Sequence, residues 1–414
     1  MTEGRIIKLV NFSSITRRQW IALFSAQAGY MLDAMDVLLF VFTVNVLRGE
    51  FHLSAAQAGL VSSFTLLFSA AGGIVFGVLS DRIGRARALM WSILIFSIAS
   101  AGTAMSWNLA SLLFWRALIG IGLGAEWSTG AVLVAETWPA EHRAKAVGIM
   151  QSGWALGYML AAGMTALILP RWGWRALFLA GLFPALLALL IRRHVEEPAI
   201  WKRDLARGTV RKHALREIFQ GRLRRRTILA SVLATCVLFA YWGLFTWIPG
   251  FLSAPVSRGG AGLTIVQTSG FVVPMQLGAF AGYVAFGWLA DKVGRRPAFV
   301  CYVLAAAILT PIYGATRDEQ TLLLLGPAVG FVGTGFFSLF GAMLSELYPT
   351  AVRGAGLGFV YNIGRGGSAL APWTVGYFAD HYGIGTSLGL NSAFFALGAV
   401  LVLTLPETKQ AELE

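Results

Sequence analysis

The chain has 414 residues, 57% of them hydrophobic and only 13% charged, with a formal net charge of +13. That balance is too apolar for one or two soluble domains of this length. Apolar runs of about 20 residues recur from end to end, each long enough to cross a bilayer, so the chain reads as a polytopic, all-α membrane protein.

The opening stretch "MTEGRIIKLVNFSSITRRQW" lacks the short apolar core and small residues of a cleavable signal, so the first span is expected to act as an uncleaved insertion signal. Hydropathy places twelve spans at 17–47, 56–80, 86–106, 109–137, 142–169, 173–192, 227–252, 264–290, 297–316, 319–347, 352–379 and 383–405. Short connections imply antiparallel neighbours. One long polar segment divides the spans six and six. The expected organisation is an N-terminal half (1–192), a linker (193–226) and a C-terminal half (227–414).

Span 1 contains "GYMLDAMDVLLF", with Asp33 and Asp36 on one helical face. Two carboxylates this close in a low dielectric cannot both ionise cheaply, so at least one is expected to take up and release a proton. Span 4 contributes Arg116 and Glu126. Helical rise puts Arg116 within roughly 6 Å of the depth of Asp36, and Glu126 roughly 15 Å deeper, nearer Asp33. The four are expected to form one N-terminal network in which protonation breaks an ion pair, with Asp36 the favoured coupler. The plainer alternative is an aspartate held structurally by Arg116.

Gln151, Trp154 and Tyr158 in span 5, Tyr241 and Trp242 in span 7, and Gln276 in span 8 are polar or amphipathic at membrane depth and are candidate cavity walls. Arg365, in "YNIGRGGSALAPW" of span 11, has no acidic partner at its depth in the C-terminal half. A buried lone guanidinium is costly unless an anion visits, and its planar fork suits a carboxylate. Asn362, one turn earlier, could donate to the same ligand. Pairing with a carboxylate across a cavity is the alternative for Arg365. Cys236 and Cys301 read as small core residues without a disulfide, and the five histidines are too scattered to suggest a metal site or an enzyme motif. No cofactor is expected.

With the N-terminus inside, 26 of the 33 Lys and Arg residues fall on cytoplasmic segments and 5 on outer loops. The positive-inside rule then places both termini in the cytoplasm and explains the basic charge without nucleic acid. The linker could also touch anionic lipid.

The halves repeat. "GVLSDRIGRARAL" (77–89) matches "GWLADKVGRRPAF" (287–299), and "VAETWPAEHRAKAVGI" (134–149) matches "LSELYPTAVRGAGLGF" (344–359), all at one offset of 210 residues. A constant offset over two motifs indicates a duplicated six-span unit with a cavity between parallel halves.

These motifs resemble the major facilitator superfamily over essentially the whole chain. The resemblance implies twelve helices in two halves related by pseudo-two-fold symmetry. It makes the Gly-x-x-x-Asp-(Arg/Lys)-x-Gly-Arg loop a gating device: Gly77, Asp81, Arg82, Gly84 and Arg85 in the first copy, Asp291 and Arg295 in the second. Glu136, Arg143, Glu346 and Arg353 are the implied partners in the other repeated motif. "LDAMD", "GLGAEWSTGAVLVAETWP", "GWRALFLAGLFPALLALLIRR" and "FAYWGLFTWIPGFL" resemble the proton-symporting branch that carries sialate and lactate. Ala34 departs from the glycine that branch often has between the aspartates, and the central linker lacks the extra spans of some sialate carriers. The implied function is uptake of an organic carboxylate with protons, sodium being the alternative ion. The implied setting is the bilayer of a bacterial inner membrane, as a monomer. Alternatives are an aromatic-acid symporter, a drug exporter (disfavoured because span 5 lacks a Gly-Pro motif) and, from another class, a membrane-embedded enzyme or receptor.

Overall fold

The computed structural model describes residues 15–138, 140–186, 195–197, 214–338, 343, 347–348 and 352–408, with a few helical side chains inside those ranges also left undescribed. Among the described residues the protein is all helical. Span 1 is Arg17–Glu50, span 2 Ala55–Ile83, span 3 Arg85–Thr103 and span 4 Leu109–Thr137. Spans 5 and 6 share Ala140–Ala180, which breaks at Gly173. Span 7 is Gly221–Phe245 continued by Ile248–Ser253, span 8 is Ile265–Val293, span 9 Arg295–Ala315 and span 10 Glu319–Gly335. Span 11 comprises Arg353–Ser368 and Leu370–Tyr382, and span 12 Ile384–Leu388 and Leu390–Val402. Eight helical stretches among the described residues are long and apolar enough to cross a membrane. Large apolar side chains such as Leu324, Val284 and Leu370 stand exposed on the outer surface, as a lipid-facing exterior requires.

The helix ends show why the chain breaks where it does, and they show the repeat again. Ser54 and Gln57 cap span 2 reciprocally, and Thr264 and Gln267 do the same for span 8, 210 residues later. Asn108 accepts from the Ser111 amide at the start of span 4, and Asp318 accepts from the Thr321 amide at the start of span 10. Gly84 (φ 104°) and Gly294 (φ 109°) turn the chain into spans 3 and 9 in a conformation that favours glycine. Gly173 (φ 75°) and Gly383 (φ 81°) mark the turns before spans 6 and 12.

Within each half the same pairs pack: spans 1 with 5 and 7 with 11, spans 2 with 4 and 8 with 10, spans 3 with 6 and 9 with 12. Between the halves, span 2 packs on span 11, span 8 on span 5, and span 1 on the end of span 7. The largest buried cluster runs through both halves, so the interface between them is continuous with the core.

Two expectations change. Span 7 starts at Gly221, not 227, so the basic run at 222–226 forms its first turns and is not part of a separate linker. Cys236 is buried as expected, but Cys301 is exposed on the outer face of span 9. Its apolar neighbours serve the lipid-facing side there.

Candidate functional site

The five intramembrane charges are all buried: Asp33 and Arg116 are 1% exposed, Asp36 and Glu126 0%, and Arg365 3%. No carboxylate oxygen of Asp33 or Glu126 has a hydrogen-bond partner among the described residues, and neither do Arg116 Nη1 and Arg365 Nε, while Asp36 lies beside the Ser100 hydroxyl. Charge held in this way is expensive, which marks these positions as functional candidates.

Arg365 of the other half joins the N-terminal charges. Asp36 interacts electrostatically with Arg116 and with Asp33, and Asp33 with Glu126. Asp33 and Glu126 also lie in the field of Arg365, reaching it across the interface between the halves. The helical geometry accounts for these neighbours. Glu126 lies against Gly29, one turn before Asp33, where a Cβ would collide with its Oε1. Arg116 lies beyond Asp36 along span 1, with Nε donating to Thr65 Oγ1 at 3.1 Å and its guanidinium 4.9 Å from the centre of the Phe40 ring. Arg365, unmatched within its own half, thus has acidic neighbours in the other.

Arg365 opens onto a small cavity between the halves, with room for about one water molecule. Its walls are Tyr30 of span 1, Gln151 and Trp154 of span 5, Leu238, Tyr241 and Trp242 of span 7, Tyr283 of span 8, Phe337 of span 10, and Tyr361 and Arg365 of span 11. The aromatic groups lock one another. Trp154 Nε1 donates to Tyr241 Oη at 2.6 Å across the interface, and Trp154 stacks edge-on to Trp242 with ring centres 5.6 Å apart. Gln151 Nε2 donates to Tyr30 Oη at 3.3 Å. Polar tips therefore point inward from rigid apolar rings, as a ligand cavity requires.

The structure thus brings Gln151, Trp154, Tyr241, Trp242 and Arg365 together. Three other expected contacts are not among the lining residues. Tyr158 donates to the Phe245 carbonyl at 3.0 Å and joins spans 5 and 7 as packing. Asn362 donates to the Gly358 carbonyl at 3.0 Å and sits against Gly73 of span 2. Gln276 is 1% exposed, and its Nε2 has no partner among the described residues. Five wall residues, Tyr30, Leu238, Tyr283, Phe337 and Tyr361, did not stand out in the sequence. Tyr30 and Tyr361 each lie one turn from a buried charge, Asp33 and Arg365, which is the signal that could have found them. Leu238, Tyr283 and Phe337 have no such neighbour.

Of the signature-loop residues, Gly84 and Arg85 open span 3, and Arg295 opens span 9. Gly77 is described only as helical backbone, while the side chains of Asp81, Arg82, Glu136, Arg143, Asp291 and Arg353, and the whole of Glu346, lie outside the described residues. Two acidic residues not singled out by the sequence reading engage these loops. Glu197 accepts from the backbone amides of Arg85, Ala86 and Arg87, and Glu407 from those of Arg295 and Arg296. Each carboxylate sits at a helix N-terminus, where the backbone dipole favours it. They too are 210 residues apart, a third pair at the offset already seen in two motifs.

At the ends of spans 1 and 7 away from the N-terminus, the halves are tied together. Asp380 of span 11 accepts from the amides of Ala55 and Ala56 at 2.8 and 2.9 Å, and Arg48 Nη2 lies 3.7 Å from it. Asn45 Nδ2 donates to the Gly250 carbonyl and to Ser253 Oγ.

Residues 26–275 and 256–414 match the Major Facilitator Superfamily. The cis,cis-muconate transport protein of Acinetobacter baylyi is 32% identical over 403 residues, covering 95% of this chain and 96% of that protein. The sialic acid transporter of Escherichia coli is 28% identical over 386 residues, covering 92% of each. Among solved structures, that of a D-xylose-proton symporter superposes with a TM-score of 0.76 at 20% identity, covering 96% of this chain and all of that one, which shows a shared fold. Both relatives are transporters and not enzymes. The chain is a multi-pass integral membrane protein and belongs to the major facilitator superfamily.

Proposed function

We propose that the chain is a secondary active transporter that takes up an organic carboxylate together with protons by alternating access. The observation that carries this is the position of Arg365. It is a buried guanidinium lining an aromatic cavity between the halves, with Asp33 and Glu126 as its acidic neighbours and no ion pair to either among the described residues. A substrate carboxylate would take bidentate hydrogen bonds from it. The anion would compete with Asp33 and Glu126 for the same cation, which links substrate binding to their protonation. Asp36, beside Arg116, is the proposed proton carrier.

In this reading the N-terminal half (1–192) carries the proton, the C-terminal half, beginning with span 7 at Gly221, grips the anion, and the segment between them links the two on the cytoplasmic side of a bacterial inner membrane. The signature loops would gate the cytoplasmic side, with Glu197 and Glu407 holding the starts of spans 3 and 9. The working unit is the monomer.

For the substrate, sialate and lactate remain within the class. Flat unsaturated or aromatic acids are favoured over them, because four tyrosines and two tryptophans wall the cavity and a relative carries a conjugated dienoic acid. A thermal-shift screen of sialate, lactate, benzoates and muconates on the wild type and on Arg365→Ala tests the reading. The stabilising acid is expected to lose its effect on the variant. A hit that survives the substitution would remove Arg365 from the site.

A further inference from the structure

A second small cavity lies farther along spans 1 and 7, on the other side of Trp242. Val41, Ser62, Thr65, Arg116 and Thr246 line it, and Trp242 lines both it and the Arg365 cavity. The order along the helices fixes the stacking. Tyr30 and Leu238 border the first cavity, while Val41 and Thr246, later on the same two spans, border the second. The two therefore follow one another along the interface, with an indole as the partition.

Arg116 is equipped for more than holding Asp36. Thr65 Oγ1 fixes its Nε, the Phe40 ring supports its face, and Nη1 has no hydrogen-bond partner among the described residues although the residue is 1% exposed. Asp36 is near enough to interact electrostatically but forms no ion pair with it among the described residues. A buried donor oriented by one arm and open at the other is suited to an anion. The hydroxyls of Ser62 and Thr246 line the same space. Neither arginine is a relic of the duplication. The repeat partner of Arg116 is Gly326, and that of Arg365 is Ala155.

We propose that the Arg116 cavity is a second carboxylate subsite, so that the chain takes dicarboxylic acids with one carboxylate on Arg365 and the other on Arg116, the connecting carbon chain lying against Trp242. This rests on the reading of Arg365 as the substrate arginine. A monocarboxylate of the same skeleton fills only the first cavity. Because Arg116 also neighbours Asp36, the second carboxylate brings the substrate to the proposed proton carrier.

The test is isothermal titration of the purified full-length chain in detergent with sorbate and with trans,trans-muconate, which share a six-carbon diene and differ by one carboxylate. The wild type is expected to prefer the dicarboxylate. Arg116→Gln should reduce that preference by roughly tenfold or more, the usual consequence of removing one member of a buried charge contact. Thr65→Val, which only frees the Nε arm, should reduce it in the same direction by less, and it decides the matter if Arg116→Gln does not fold. A wild type without the preference, or a preference that survives both substitutions, overturns the subsite. Arg365→Gln should weaken both acids. If it leaves sorbate binding intact, the reading of Arg365 fails, while the subsite is still judged by the ratio in the Arg116 and Thr65 variants.

Discussion

Arg365 of span 11 shares its electrostatic field with Asp33 of span 1, across the interface that alternating access would have to open and close. Neither residue has a charged repeat partner, since Ala155 and Gly243 hold the equivalent positions. The duplication supplied the scaffold, and the charges were added to it asymmetrically. Four of the five buried intramembrane charges lie in one half and the fifth faces them from the other.

Arg365→Lys keeps the charge and loses the planar fork. Substrate affinity should fall by roughly a hundredfold in Arg365→Gln and by less in Arg365→Lys, as expected when one side of a buried charge contact is truncated or reshaped. Equilibrium binding of the acid identified by thermal shift measures both.

Gly29 lets Glu126 lie against span 1. Gly29→Ala should destabilise the protein by about 1–3 kcal/mol through overpacking. The double variant Gly29→Ala with Glu126→Asp, which shortens the opposing side chain, should recover part of the loss. Thermal unfolding of the two single variants and the double variant reads the coupling.

Asp380 caps the start of span 2 from the opposite half. Asp380→Ala should weaken closure at that end and shift the equilibrium toward the state open there. Ser63, whose Oγ accepts from the Trp373 amide at 3.2 Å, lies on the same contact. In a background with Cys236 and Cys301 replaced by serine, Ser63→Cys should react several-fold faster with an impermeant maleimide when Asp380→Ala is added. An unchanged rate would assign the contact to packing alone.

Glu407→Gln should cost about 1 kcal/mol by weakening a charged cap on span 9, and Glu197→Gln should do the same on span 3. A lower unfolding temperature for each, with substrate affinity retained, is the expected result.

Much of this was legible in the residues. The twelve spans follow from hydropathy because lipid demands long apolar helices, and the 210-residue offset exposed the two halves. Buried charges such as Asp33, Asp36 and Arg365 stand out in any apolar run. Partnership was harder to read. Depth arithmetic along spans 1 and 4 placed Glu126 near Asp33, as found. It could not place Arg365, because the angle at which two halves meet is set by packing between them and leaves no period in either sequence. The same applies to Tyr158 and Asn362. Their spacing put them at the right depth, but rotation about the helix axis turned their polar atoms to backbone carbonyls. Glu197 and Glu407 lay in polar segments outside the hydropathy pattern, and only the repeat offset connects them.

The most direct measurement is accumulation of radiolabelled acid in proteoliposomes with an alkaline lumen, for the wild type and Asp36→Asn. The wild type should concentrate the acid above its external level. Asp36→Asn should only equilibrate it, while still exchanging internal for external substrate. Accumulation by Asp36→Asn at the wild-type level would contradict the assignment of the proton to span 1.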